Sequence, residues 1–327
     1  MPGTAIAALP SIDEIRQAQQ LVYSVMPPTP QFSWPLLCNR LETEVWVKHE
    51  NHTPIGAFKA RTAIVYAAEL FKNGNTVKGL IAATRGNHGQ SVALAAQRFK
   101  VPCTIVVPRG NSKAKNAAMQ AQGATLIEFG NDFQESREHA TRLAAQQGLH
   151  IVPAYHYNIV KGIATYWLEF FSAVPRLDMV YVPVGQGSGI SSAVAVRNGL
   201  NLKTKIVGVV SEGAQAYALS FEAGRKVESP VTTQIADGMA CRVPDDEPLE
   251  IMLGGVDHMV RVSDDEVRAA MKIYFTDTHN VVEGAGAAAL AAALKELSLL
   301  KGKRVGVVAS GGNVDHEIFA NVLLEQR

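Results

Sequence analysis

The stretch "YVPVGQGSGISSAVAV" (181–196) runs from a β-branched segment through three spaced glycines into an apolar helical pattern. Gly185, Gly187 and Gly189 let the backbone approach a ligand closely and reach positive φ. The loop N–H groups and the helix N-terminus that follows suit an anion, best a phosphate. A dinucleotide fingerprint requires a glycine at position 190, where Ile190 stands, and a Walker loop requires Gly-Lys-Ser/Thr, which is absent. The segment therefore fits one phosphate of a small cofactor better than a pyrophosphate. On local grounds it also fits an ordinary glycine-rich turn between strand and helix.

Outward from this loop, short β-branched runs alternate with helical patterns. Strands are expected at 45–50, 79–85, 103–108, 125–129, 150–154, 179–185, 205–211, 258–263 and 304–312. Several are apolar at consecutive positions, as strands buried on both faces must be. Helical patterns at 89–99, 114–122 and 134–147 fill gaps between them, which predicts an open α/β architecture with mostly parallel, twisted sheets. The strands from about 79 to 154 group into a small sheet of about four, and the later ones into a larger sheet. Two lobes facing one cleft are expected. Residues 1–75 and 155–327 would make the large, cofactor-binding domain, and 76–154 a small domain closing over the site.

The chain has 327 residues, 47% hydrophobic and 19% charged, with formal net charge +1. That describes a globular protein with a large core and gives no electrostatic case for nucleic acid or a membrane surface. Cys38, Cys103 and Cys241 are far apart and lack zinc-ligand or CxxC spacing, which suits a reducing compartment. The opening "MPGTAIAALPSIDEIRQAQQ" has no basic n-region, and no apolar run is of transmembrane type, so a cytoplasmic protein is expected. The Ala-rich "GAGAAALAAALKELSLL" reads as a packed helix.

Two further turns share the strand–glycine–helix form. "ATRGNHGQSVALAA" (83–96) carries Gly86, Asn87, His88 and Gly89, and "VASGGNVD" (308–315) carries Ser310, Gly311 and Gly312. Each read alone is equally a capped turn. Together they fall at the C-terminal ends of expected strands, where open α/β sheets bind ligands. Lys59, in "NHTPIGAFKARTA" (51–63), opens an apolar helical pattern. Alone it fits an exposed first-turn lysine; buried, it would have a lowered pKa and act as nucleophile or base. With a phosphate cradle and no metal motif, a Schiff-base lysine for pyridoxal 5'-phosphate is the leading reading.

These motifs, in this order, resemble the serine/threonine dehydratase and serine racemase family of fold-type II pyridoxal-phosphate enzymes. "TPIGAFKAR" is similar to the family's Ser-Phe-Lys stretch, which implies the Schiff base on Lys59 with Phe58 beside it. "GNHGQ" is similar to the loop whose asparagine, here Asn87, binds the cofactor's 3′-oxygen. "VGQGSG" stands where the family has a tetraglycine phosphate cradle, implying Gly185, Gln186, Gly187, Ser188 and Gly189. "DGMA" (237–240) resembles its Asp-Gly-Ile-Ala segment and points to Gly238; "VVEGAGAAALAA" (281–292) resembles its Glu-Pro-x-Gly-Ala helix and points to Glu283. "SGGNVD" (310–315) implies Ser310 as partner of the pyridine nitrogen. A homodimer is also what the resemblance implies.

The departures carry information. Ala57 replaces the serine before Phe-Lys, and Gln186 and Ser188 interrupt the tetraglycine, although Ser188 can itself donate to phosphate. Arg85 stands where racemases of the family keep a serine acid/base; arginine is poor at exchanging that proton, so racemisation is not expected. The family's divalent-cation site retains Glu212 but meets Ala216 and Ala218, so no metal is expected. The resemblance implies β-elimination of water from a β-hydroxy amino acid such as serine, threonine, 3-hydroxyaspartate or phenylserine, giving a 2-oxo acid and ammonium. Lys59 would take the α-proton, and the loop Arg85, Gly86, Asn87, His88 and Gly89 would hold the substrate. A neutral Ser310 partner makes the ring a weaker electron sink than a carboxylate would, favouring prompt loss of the β-group. Two alternatives remain on this sequence: β-replacement of the cysteine-synthase type, and a pyridoxal-phosphate or amino-acid-binding protein without turnover.

Overall fold

The computed structural model describes residues 8–325. Residues 1–7 of the opening segment read for a leader, and residues 326–327 of the expected large domain, lie outside the described residues. The fold holds two sheets. The larger has six strands in the order β1-β2-β10-β7-β8-β9, formed by β1 (Gln31–Ser33), β2 (Glu44–His49), β7 (Met179–Pro183), β8 (Lys205–Ser211), β9 (His258–Val262) and β10 (Arg304–Ala309). The smaller has the order β5-β4-β3-β6, formed by β3 (Leu80–Ala83), β4 (Cys103–Val107), β5 (Thr125–Glu128) and β6 (His150–Ile151). Only β1 runs antiparallel to its neighbour; the other pairs are parallel.

All nine expected strands form, and two features differ. The three-residue edge strand β1 is added, a segment too short to show alternation. Several strands also stop early at the cleft: β7 ends at Pro183, β3 at Ala83 and β10 at Ala309. The residues beyond those ends leave the ladder to form the site. β2 joins the larger sheet although it precedes the smaller one, pairing with β10 from Glu44–Arg304 to His49–Ala309.

The core explains why the strands read as continuous apolar runs. The helix Gly284–Lys295 is buried from Gly284 to Ala293 and lies against β7, β8, β9 and β10; its small side chains allow that close approach. On the other face, the helix Tyr157–Ala173 packs on the helices Ala60–Leu70 and Ser188–Gly199. A Cβ on Gly162 would meet the Arg61 carbonyl at 2.5 Å, so glycine permits this helix crossing. Trp167 is fully buried and donates its indole N–H to the Gly189 carbonyl at 3.2 Å, tying this helix to the glycine loop. Among the described residues, no helix is long and apolar enough to cross a membrane.

Candidate active site

The segment before Lys59 folds back on the segment after β10. Phe58 donates its N–H to the Ser310 carbonyl at 2.9 Å, Gly312 donates to Gly56 O at 2.9 Å, and Ala57 and Gly311 form an isolated antiparallel bridge. Gly56 needs its φ of +66° for this turn, and the Thr53 hydroxyl closes it through Ala57 N and O at 2.9 and 2.7 Å. Lys59 is thereby set at the N-cap of the helix Ala60–Leu70. Its carbonyl accepts from the Ser91 hydroxyl and from Thr62 Oγ at 2.8 Å. Lys59 Nζ lies 3.5 Å from Ser188 Oγ and 4.9 Å from the centre of the Phe58 ring. It has no carboxylate partner among the described residues, and burial lowers its pKa to about 8. The Phe58 ring is held edge-on against Tyr166 at 6.3 Å.

Two residues after Lys59, Arg61 anchors the helix in a dry ionic cluster. It pairs with Glu50 at 2.8 Å and Glu169 at 2.6 Å, and Lys48 also pairs with Glu169 at 2.6 Å. Arg61, Lys48 and Glu50 are fully buried. The rigid base that holds Lys59 in place is therefore ionic.

The glycine loop behaves as an N–H cradle. Gly187, with φ +87°, caps the helix Ser188–Gly199. A Cβ on Gly187 would strike Pro248 at 2.4 Å, and one on Gly185 would strike the Gly238 carbonyl at 2.4 Å; this is how Gly238 enters the site. Gln186 is fixed through its carbonyl, which accepts from Tyr217 Oη at 3.3 Å. Among the described residues, the N–H groups of residues 185–190 find no acceptor, while Val184 N and Ser191 N on either side are bonded. A row of unpaired donors at a helix N-terminus, next to a buried Ser188, is a site built for an oxyanion.

Opposite stands the helix Asn87–Phe99, whose first residue is Asn87. Asn87 Nδ2 donates to Glu283 Oε1 at 2.7 Å, and Asn87 Oδ1 accepts from Asn313 Nδ2 at 2.8 Å. Glu283 is the N-cap of the Ala-rich helix, is buried, and its Oε2 has no partner among the described residues. Burial raises its pKa to about 7, with Asp237 adding to the rise and Lys115 and the Asn87 bond opposing it. His88 Nε2 donates to the Val152 carbonyl at 3.2 Å, and burial with the Lys59 charge lowers its pKa to about 4. Its Nδ1 is buried without a partner. Among the described residues, the N–H groups of Asn87 and His88 have no acceptor, whereas Gly89 N bonds to Gly86 O at 2.9 Å and Gly86 N to Thr84 Oγ at 3.1 Å. Ser310 is buried at the end of β10, its hydroxyl unpaired among the described residues. Arg85 is exposed, with no ion pair among the described residues; its carbonyl accepts from Asn111 Nδ2 at 3.2 Å.

The fold therefore gathers Lys59, Phe58, Ser188, Ser310, Asn87 and Glu283 near the C-terminal strand ends, while the Arg85 side chain, next to the Gly86–Gly89 turn, is exposed. It also adds residues that sequence patterns do not single out. Lys115 pairs with Asp237 at 2.6 Å across the cleft, and Ser112 Oγ bonds Asp315 at 2.5 Å. "SKAKNAAM" reads as a solvated helix, so nothing local marks Lys115. Asn313 is visible inside "SGGNVD" but carries no signature of its own. An oxyanion cradle, a part-buried amine with a lowered pKa and a set of unpaired buried donors and acceptors fit a phosphorylated aldehyde such as pyridoxal phosphate. No group of three or more His, Cys, Asp or Glu among the described residues could hold a metal ion.

Comparison with known proteins agrees with this geometry. Residues 23–311 match the family model described as pyridoxal-phosphate dependent enzyme. An L-threonine ammonia-lyase from Thermotoga maritima is 34% identical over 96% of this chain and 78% of its own length. An L-threo-3-hydroxyaspartate ammonia-lyase from Saccharomyces cerevisiae is 32% identical over 96% of this chain and 97% of its own. The structure of maize serine racemase superposes with a TM-score of 0.88 at 28% identity, covering 96% of this chain and 97% of that one.

Proposed function

Because the chain belongs to the pyridoxal-phosphate-dependent enzyme family, we propose that it is a hydroxy-amino-acid ammonia-lyase of fold type II. It removes water from a β-hydroxy amino acid of the serine, threonine, 3-hydroxyaspartate or phenylserine type and releases a 2-oxo acid and ammonium. The relatives named above as ammonia-lyases support the reaction class. The observation that carries the reading is the part-buried Lys59 amine beside Ser188, with no carboxylate partner among the described residues, next to a segment ending in Ser310.

Pyridoxal phosphate, when bound, supplies an electron sink that acidifies the α-hydrogen of an amino acid. Lys59 is the covalent anchor and, once free, the base that takes the α-proton; a pKa near 8 suits an amine that must shed and regain a proton near neutrality. The N–H groups of residues 185–190 and the Ser188 hydroxyl hold the phosphate. Asn87 offers an amide N–H to the ring's phenolic oxygen. Ser310 would offer the pyridine nitrogen a hydroxyl rather than a carboxylate. The unpaired N–H groups of Asn87 and His88 take the substrate carboxylate, and Arg85 at the rim reads an acidic or polar β-substituent. Residues 76–154, which carry the four-stranded sheet, act as the closing domain. A cytoplasmic homodimer is the state that goes with this reading.

The test is ammonium release by the holoenzyme across serine, threonine, 3-hydroxyaspartate and phenylserine, with the 2-oxo acid measured in parallel. Equimolar ammonium and 2-oxo acid from at least one of them is expected. Release from none, or formation of a new amino acid when thiols are supplied, would overturn the assignment.

A further inference from the structure

Asn313 holds a directed chain of hydrogen bonds through the site. Its Nδ2 donates to the Ile55 carbonyl at 2.8 Å and to Asn87 Oδ1 at 2.8 Å. Both hydrogens of that amide are therefore in use. Asn87 passes the direction on, donating Nδ2 to Glu283 Oε1 at 2.7 Å. The polarity is dictated from the Asn313 end, because a backbone carbonyl can only accept. Glu283 in its ionised form, which can only accept, is compatible with the same direction at the other end.

The chain joins four separate segments. Ile55 precedes Lys59 in the turn, Asn313 follows Ser310, Glu283 caps the Ala-rich helix, and Asn87 opens a helix packed on the smaller sheet. Asn313 is itself held closely, because a Cβ on Gly56 would lie 2.9 Å from its Oδ1.

We propose that Asn313 is a positioning residue that sets the rotational state of the Asn87 amide, so that Asn87 presents its remaining N–H, and never its carbonyl, to the bound cofactor. This rests on the reading that Asn87 faces the cofactor. With Asn313 and Glu283 each taking one end of the amide, one amide hydrogen is the polar contact Asn87 has left to give. Turned over, Asn87 would set its carbonyl against Glu283 and offer an acceptor to an oxygen that itself needs a donor. The arrangement also registers the smaller sheet against the Lys59 turn.

Asn313→Asp, Asn87→Ala and the double variant test this. The aspartate side chain keeps the shape of the asparagine but, ionised, cannot donate to Ile55 or Asn87. Expected for Asn313→Asp are a retained borohydride-fixed adduct on Lys59, a shifted visible absorption of the bound cofactor, and kcat lower by about tenfold or more. The double variant should match Asn87→Ala within about twofold in kcat and share its spectrum, since both changes break one chain. A thermal-unfolding cycle on the four apoproteins, wild type included, should show the same coupling without cofactor. If the Asn313→Asp variant does not fold, Asn313→Ala takes its place in both cycles. Losses that multiply in the double variant, or an unmoved spectrum and kcat in both Asn313 variants, would overturn the proposal. Wild-type protein with no adduct on Lys59 would instead overturn the cofactor reading beneath it.

Discussion

Lys59 Nζ lies 3.5 Å from Ser188 Oγ, joining the two motifs across 129 positions of sequence. Neither residue is conspicuous in its own segment: one is a lysine at a helix start, the other a serine in a glycine turn. Their contact places an amine that burial drives toward neutrality at the edge of an anion cradle.

That amine should show its pKa in the rate of cofactor attachment. With the amine titrating near 8, reconstitution of apoprotein with pyridoxal phosphate should quicken about tenfold per pH unit below 8 and level off above it. Stopped-flow absorbance measures this, and a flat profile from pH 6 to 9 would refute it. Lys59→Ala should stay folded and lose both attachment and turnover.

Glu283 predicts a pH-dependent stability. Its pKa rises from 4.5 unfolded to about 7 folded, so in that window the folded state binds more protons than the unfolded. Its contribution is present below about 4.5 and is lost as pH rises through about 7. Glu283→Gln should therefore be the more stable protein at pH 8, with the two curves meeting near pH 4. Urea unfolding at the two pH values checks the sign; a variant less stable at pH 8 contradicts it.

Arg61 is the structural counterpart of Lys59. Replacing it by Met leaves Glu50 without its cation in a dry interior and Glu169 with Lys48 alone, and loss of one partner from a buried ion pair costs about 3–5 kcal/mol. Denaturant midpoints should fall accordingly, with the holoenzyme following the apoprotein. A loss under about 1 kcal/mol, the range of an exposed pair, would show that the cluster is not a foundation of the fold.

Arg85 is exposed and free of ion pairs among the described residues, so its substitution should leave the fold intact. If it reads the substrate, Arg85→Lys should raise KM about tenfold with kcat little changed, the loss of one charge-assisted bond of ~1.5–3 kcal/mol. Unchanged KM on every accepted substrate would remove it from the site. Efficient interconversion of L- and D-serine by the wild type would show that arginine here does not block racemisation.

A metal requirement is not expected. Glu212 faces the Lys295 ammonium at 3.5 Å, and Ala218 brings a methyl where an acidic ligand would be needed. EDTA treatment should leave holoenzyme activity unchanged; a loss restored by magnesium would reverse this conclusion.

Legibility in the sequence followed locality. The β-branched runs identified nine strands; the central ones, such as β3, β7, β8 and β10, are buried along nearly their whole length and so read as contiguous apolar runs. The loops at 185–189 and 86–89 stood out because tight backbone approach admits only glycine, and the spacing is written within a few residues. β1 escaped because three edge residues hold no period.

Composition and pattern alone thus determined the α/β class, the three glycine-rich turns at strand ends and the lysine to suspect, each a property of short-range backbone geometry or of a contiguous apolar run. Only the tertiary structure decided that Lys59 is part-buried with no counter-ion among the described residues, that burial raises the Glu283 pKa, that Lys115 reaches Asp237, and that Asn313 donates to Asn87. Those properties depend on what is desolvated and which groups meet across 122 to 226 positions of chain, as at Lys115–Asp237 and Asn87–Asn313. A charge or a hydrogen bond acquires its energy from such surroundings, and they exist only once the two sheets have closed on one another.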